Sequence, residues 1–255
     1  MRKRILVLWL IVCLNGYASD RMDRVLNLWS DQKRVLAVEE FLSSLQDSSR
    51  DKKAKNAAEE GLDYQIAFSK YLELKVKERA KMVDEYERLY EMHPNEVGFC
   101  FLLSSAYASQ GCFEKFFPTF YQAYSISPDH FFAKKSKALL YRMLFDWTPN
   151  LNSREGYRRQ FIEEASAALD IEPRDFLLMK EVFALSKGLQ YEALVSHYLK
   201  KIVNDHMIVP RSEIEYFAEL MMKQNEQALL HEWLLALKAE YPTSRAIKRV
   251  EKKLN

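Results

Sequence analysis

The side chains best suited to chemistry are thinly spread along this sequence. Its five histidines, His93, His130, His197, His206 and His231, never fall three or four residues apart, the spacing that sets two imidazoles on one helical face for a metal ion. The carboxylate pairs Glu39-Glu40, Glu59-Glu60 and Glu163-Glu164 are adjacent. Each pair points two ways round a helix and cannot act as an acid–base couple without other partners. Cys13, Cys100 and Cys112 form no C-x-x-C pair. The phosphate loops G-x-x-x-x-G-K-S/T and G-x-G-x-x-G, the zinc helix H-E-x-x-H and the nucleophile elbow G-x-S-x-G are all missing. These residues describe a chain that is not an enzyme and carries no metal and no cofactor.

Aromatic surface, by contrast, is plentiful, with 15 Phe, 14 Tyr and 4 Trp. It concentrates from Phe99 to Trp147, and most of it is expected to be packed between helices, with some left over for contact with a partner. Of the 255 residues, 48% are apolar and 29% charged, which excludes a disordered chain. Only 6 are Gly, too few for a sheet with many tight turns, so helices are favoured. Cys100 and Cys112, twelve residues apart near one helix, would be separated by about 15 Å or more against the roughly 7 Å limit for a disulfide, and free thiols are expected.

The elements that must position these side chains follow from apolar spacing. Val25, Leu28, Val35, Val38, Leu42 and Leu45 recur at helical intervals and draw one stripe. From Gln46 to Ala58 no large apolar residue occurs, which reads as a linker or a solvated helical stretch. Helical patterning resumes at Gly61 through Tyr64, Phe68, Tyr71 and Leu72. Pro94, Pro128, Pro173, Pro210 and Pro242 then each close a helix-like stretch, at intervals of 34, 45, 37 and 32 residues. Proline cannot continue a helix without losing a hydrogen bond, and a near-period in this range is the mark of stacked hairpins.

The stretch from Val97 to His130 resembles the tetratricopeptide repeat (TPR), a helix-turn-helix unit of about 34 residues. Leu103, Tyr107, Gly111, Phe120, Ala123 and Pro128 match its pattern, with Cys100 in place of its large first residue and Ser104 in place of a Gly. Phe116, at a position the family fills with Ala, and Pro118, inside the second helix, depart from it. Weaker matches end at Pro94 (Tyr86, Leu89), at Pro173 (Phe161, Ala165, Ala168, after an insertion over Thr148 to Ser153), at Pro210 (Gly188, Ala193) and at Pro242 (Leu230, Leu234, Leu237). The resemblance implies an all-α fold of antiparallel helix hairpins stacked as a right-handed TPR-like solenoid. Its inner wall would receive a protein or peptide segment. Carried over onto this chain, Phe101, Ser105, Phe132, Lys135, Leu139 and Arg142 would face that groove. An aromatic and aliphatic floor with two cations suits a peptide of some acidic character.

The two ends complete the reading. Met1-Arg-Lys-Arg, the apolar run from Ile5 to Leu14 and the small residues at Gly16-Tyr17-Ala18 follow the plan of a signal peptide over residues 1–18, and the run is too short to span a membrane. Cys13 also permits a lipid-anchored periplasmic subunit of an envelope complex. Cleavage after Ala18 removes Arg2, Lys3 and Arg4 and takes the formal charge of +2 down by three, to −1, leaving no electrostatic reason to bind nucleic acid. No Asn-x-Ser/Thr sequon occurs, so a bacterial periplasmic or secreted setting is the simpler one. Residues 19–60 read as an N-terminal helix and polar linker, and 61–242 as the repeats. Residues 243–255 read as a capping helix with Ile247, Val250 and Leu254 on one face and Arg245, Lys248, Arg249, Lys252 and Lys253 on the other. The chain is thus expected to be a non-catalytic interaction scaffold, the other readings being the lipid-anchored subunit and a helical enzyme with an unfamiliar site.

Overall fold

Helical spacing of apolar residues has one outcome among the described residues: helices and the turns that join them, without a strand. The computed structural model describes residues 16–50, 61–186 and 192–254. The basic start, the apolar run with Cys13, positions 51–58 of the polar stretch and Gly188 lie outside these. The chain divides into two units, one ending at Ile171 and the other starting at Glu172, where the spacing of prolines suggests a single array over 61–242.

In the first unit α1 (Gly16–Ser30) and α2 (Arg34–Arg50) form a hairpin. Its turn is closed by the Lys33 N–H donating to the Leu28 carbonyl at 2.9 Å, with Gln32 in the left-handed region at φ 60°. The expected stripe is real at Val25, Val38, Leu42 and Leu45, all buried. After residue 60 come α3 (Leu62–Glu73), the short α4 (Val76–Arg79), a single 3-10 turn (Ala80–Met82) and α5 (Val83–Met92). Then two hairpins follow, α6 (Val97–Gln110) with α7 (Phe113–Ile126) and α8 (Phe131–Trp147) with α9 (Leu151–Ile171). Gly111, at φ 78°, ends α6 in the left-handed conformation that glycine adopts without penalty. Asn150 starts α9, its Oδ1 accepting from the Asn152 and Ser153 amides at 3.0 and 3.1 Å.

α6 is the centre of this unit. Every residue from Gly98 to Tyr107 is buried, because the helix packs against α3, α5, α7 and α8 at once. A helix apolar all round can only be an interior one. Phe116, out of place by the repeat pattern, is accommodated because its ring fills the space between α7 and α2, 6.2 Å from Phe41 and 5.4 Å from Phe120. Pro118 neither stops α7 nor delays its start; it lies exposed at the sixth helical position.

The second unit holds α10 (Phe176–Ser186), α11 (Glu192–Asn204), α12 (Ile214–Lys223), α13 (Gln227–Glu240) and α14 (Arg245–Leu254). The buried Asp175 caps α10 by accepting from the Leu178 amide at 3.1 Å. Ile247 and Val250 of α14 are buried, whereas Leu254, expected on the same face, is exposed. Two basic residues of α14 are engaged within the unit, Arg249 with Glu215 at 2.9 Å and Lys253 with Glu219 at 2.5 Å, and Glu251 of α14 pairs with Lys238 of α13.

Candidate interaction surface

Of the six residues carried over as groove-facing, four are interior. Phe101, Ser105, Phe132 and Lys135 are buried, and the reason is α3. Tyr64, Phe68 and Tyr71 recur along it at i, i+4 and i+7, and these aromatic side chains occupy the space in which a partner was expected. The Tyr71 hydroxyl pairs with Ser105 Oγ at 2.7 Å, and the Tyr71 and Phe68 rings stand edge-on to Phe132 at 4.9 and 5.6 Å. The Lys135 ammonium lies 4.7 Å from the Tyr71 ring centre. Phe101 stacks on His130 at 4.6 Å. His130 Nδ1 accepts from the Phe132 amide at 3.1 Å and so caps α8, while its Nε2 lies 3.4 Å from the Tyr64 hydroxyl. These four side chains join helices of one unit and are not a binding floor.

Leu139 and Arg142 remain at the surface, and they belong to a longer feature. Leu139, Arg142, Met143, Asp146 and Trp147 recur at i, i+3, i+4, i+7 and i+8, which places them on one face of α8. None of the five is buried; Leu139 and Trp147 are each 36% exposed. Arg142 donates from Nε to Asp146 at 3.1 Å and lies over the Phe145 ring at 5.6 Å. Arg154 covers the same ring at 4.6 Å and donates to the Phe145 carbonyl at 3.0 Å. Trp147 approaches Trp29 of α1 at 6.3 Å, and Arg34 lies 5.6 Å from the Trp29 ring. α9 supports this face from behind along α8, with Lys137 paired to Glu164 across the hairpin. The stripe is therefore a mixed apolar and charged ridge on rigid backing, with Trp and Arg, the side chains that most often anchor interfaces, at its end and middle. In the sequence, Trp147 is one aromatic among many. What marks it as different is that charged Arg142 and Asp146 share its helical face.

Comparison with known proteins gives a likeness to a solved structure. No family model matches the chain, and no curated protein does. It is similar to the crystal structure of a thermophilic TPR protein from Thermus thermophilus, at 14% identity and a TM-score of 0.45, over 68% of this chain and 88% of that one.

Two reactive side chains outside the ridge, Cys100 and His93, are committed to structure. Burial pushes the Cys100 thiol up to about 12, and Cys100 and Cys112 are both free of disulfides. His93 stands between Asp63 and Glu96, each 3.3 Å from one ring nitrogen, and Glu96 also accepts from the Gly61 amide at 3.2 Å. This set ties the start of α3 to the turn between α5 and α6. Among the described residues no group of three or more His, Cys, Asp or Glu is placed to hold a metal ion.

Proposed function

We propose that this chain is an exported, non-catalytic interaction scaffold that seats an amphipathic segment of a protein partner along the outer face of α8. One observation carries the reading: Leu139, Arg142, Met143, Asp146 and Trp147 line one face of a helix held rigid by α9, with two large apolar side chains left open to solvent. A preorganised helical face needs little ordering on binding, so its apolar anchors contribute most of what they bury.

A photo-crosslinking side chain placed at Leu139 or Trp147 is expected to yield one discrete adduct in the native compartment, and the same group at the exposed Glu163 of α9 is expected to yield none. Equal adducts at all three positions, or none at any, would sink the α8 reading. Export rests on the basic start and the apolar run of the first residues. The mass of the native N-terminus decides it: a start near Ser19 supports cleavage and release, a diacylglyceryl group on Cys13 makes the scaffold lipid-anchored, and an intact Met1 removes cleavage and lipidation together.

A further inference from the structure

The exposed face of α8 carries two rows. Leu139, Met143 and Trp147 follow one another at intervals of four residues, and beside them Arg142 and Asp146 form a charged row of the same interval. Both rows lie within one unbroken α-helix, so its rise of about 1.5 Å per residue fixes their relative heights. The Arg142 Nε donates to Asp146 at 3.1 Å, which shows the charged row running along the helix, and none of the five side chains is buried.

This pattern complements itself. A copy of α8 turned end for end about a two-fold axis at the level of Leu144 brings charged row to charged row, because such an axis keeps each edge of the face on its own side. Arg142 then stands opposite Asp146 of the copy, and Asp146 opposite Arg142. The same axis offsets the two apolar rows by about 3 Å, half of their spacing of about 6 Å. Met143 of the copy falls between Met143 and Trp147, and Trp147 of the copy between Leu139 and Met143. Rows at intervals of four that interlock in this way are the commonest packing of two helices. A parallel copy would set the charged row against an apolar one. Resting on the α8 reading above, we propose that the segment seated on this face is α8 of a second copy of the chain, antiparallel to the first. One helix face makes a small interface, so the dimer is weak and concentration-dependent.

The test is sedimentation equilibrium, near neutral pH and over rising concentration, of the chain purified from its native compartment. The wild type is expected to approach twice the mass of one chain. Arg142→Glu and Asp146→Arg each place like charges face to face, twice over because of the axis, and each is expected to weaken the dimer about tenfold or more. Mixed in equal amounts, the two variants are expected to pair with one another, since every charge then meets its opposite; that recovery also shows both to be folded. Should either variant fail to fold, the photo-crosslinker at Leu139 decides, its adduct expected at the mass of two chains. A monomeric wild type, single variants that dimerise as well as the wild type, or a mixture that stays monomeric would overturn the second copy. An adduct with a different protein ends this assignment and leaves the α8 reading standing, whereas no adduct ends both.

Discussion

At position 98 a side chain has nowhere to go. A Cβ there would stand 2.3 Å from the Tyr64 ring, whose own position is set by Phe99, edge-on at 5.7 Å, and by His130. Alanine would gain about 1 kcal/mol of helix propensity within α6, but overpacking a closed core costs about 1–3 kcal/mol. Gly98→Ala is therefore expected to lower the urea midpoint with an unchanged slope. An unshifted midpoint would mean that Tyr64 swings out freely and that α3 is not anchored there. This contact also explains why the groove residues could not be read from the sequence. Repeat register tells which face of α6 and α8 Phe101, Ser105, Phe132 and Lys135 occupy. It is silent on what covers that face, and the cover, Tyr64, Phe68 and Tyr71, comes from a helix distant in sequence.

Helix ends were far more legible, because they depend on local chemistry. Pro94, Pro128, Pro173, Pro210 and Pro242 all fall between helices, and Gly111, a match to the repeat pattern, ends α6 at the turn into α7. Pro118 alone defies its local rule. α7 continues through it because Phe116, Phe117 and Phe120 bury their rings and hold the helix together around the missing amide. Pro118 is exposed, so its removal loses no packing. Pro118→Ala restores a hydrogen bond to the Glu114 carbonyl and relieves a clash, effects that together reach about 3 kcal/mol. The more flexible unfolded chain offsets about 0.4–1 kcal/mol of this. The variant is expected to be more stable by up to about 2 kcal/mol in chemical denaturation, and a loss of stability would show that the ring itself is a packing element.

Across the whole molecule, the division at Ile171 leaves no compositional mark, since Pro173 resembles the other helix stops, yet it has a chemical consequence. Tyr86, Tyr90, Tyr107, Tyr141 and Tyr157 of the first unit all titrate above the ordinary phenol range, first through burial. Neighbouring carboxylates reinforce the shift: Tyr107 donates to Glu87 at 2.5 Å, and Tyr157, pushed up to about 12, donates to Glu39. In the second unit Tyr216 is raised, again chiefly by burial. A phenol whose folded pKa exceeds its unfolded value of about 10 contributes stability that is complete below that pH. Above it the unfolded chain sheds protons that the folded chain keeps, so the contribution is lost as pH climbs from about 10 toward 12 and beyond. With these five groups concentrated in it, the first unit is expected to open earlier on alkaline titration. Limited proteolysis at about pH 11 should leave a resistant fragment beginning near Glu172 while the helices before Ile171 are degraded. Simultaneous loss of both units, or survival of the first, would show that these tyrosines do not govern the alkaline limit.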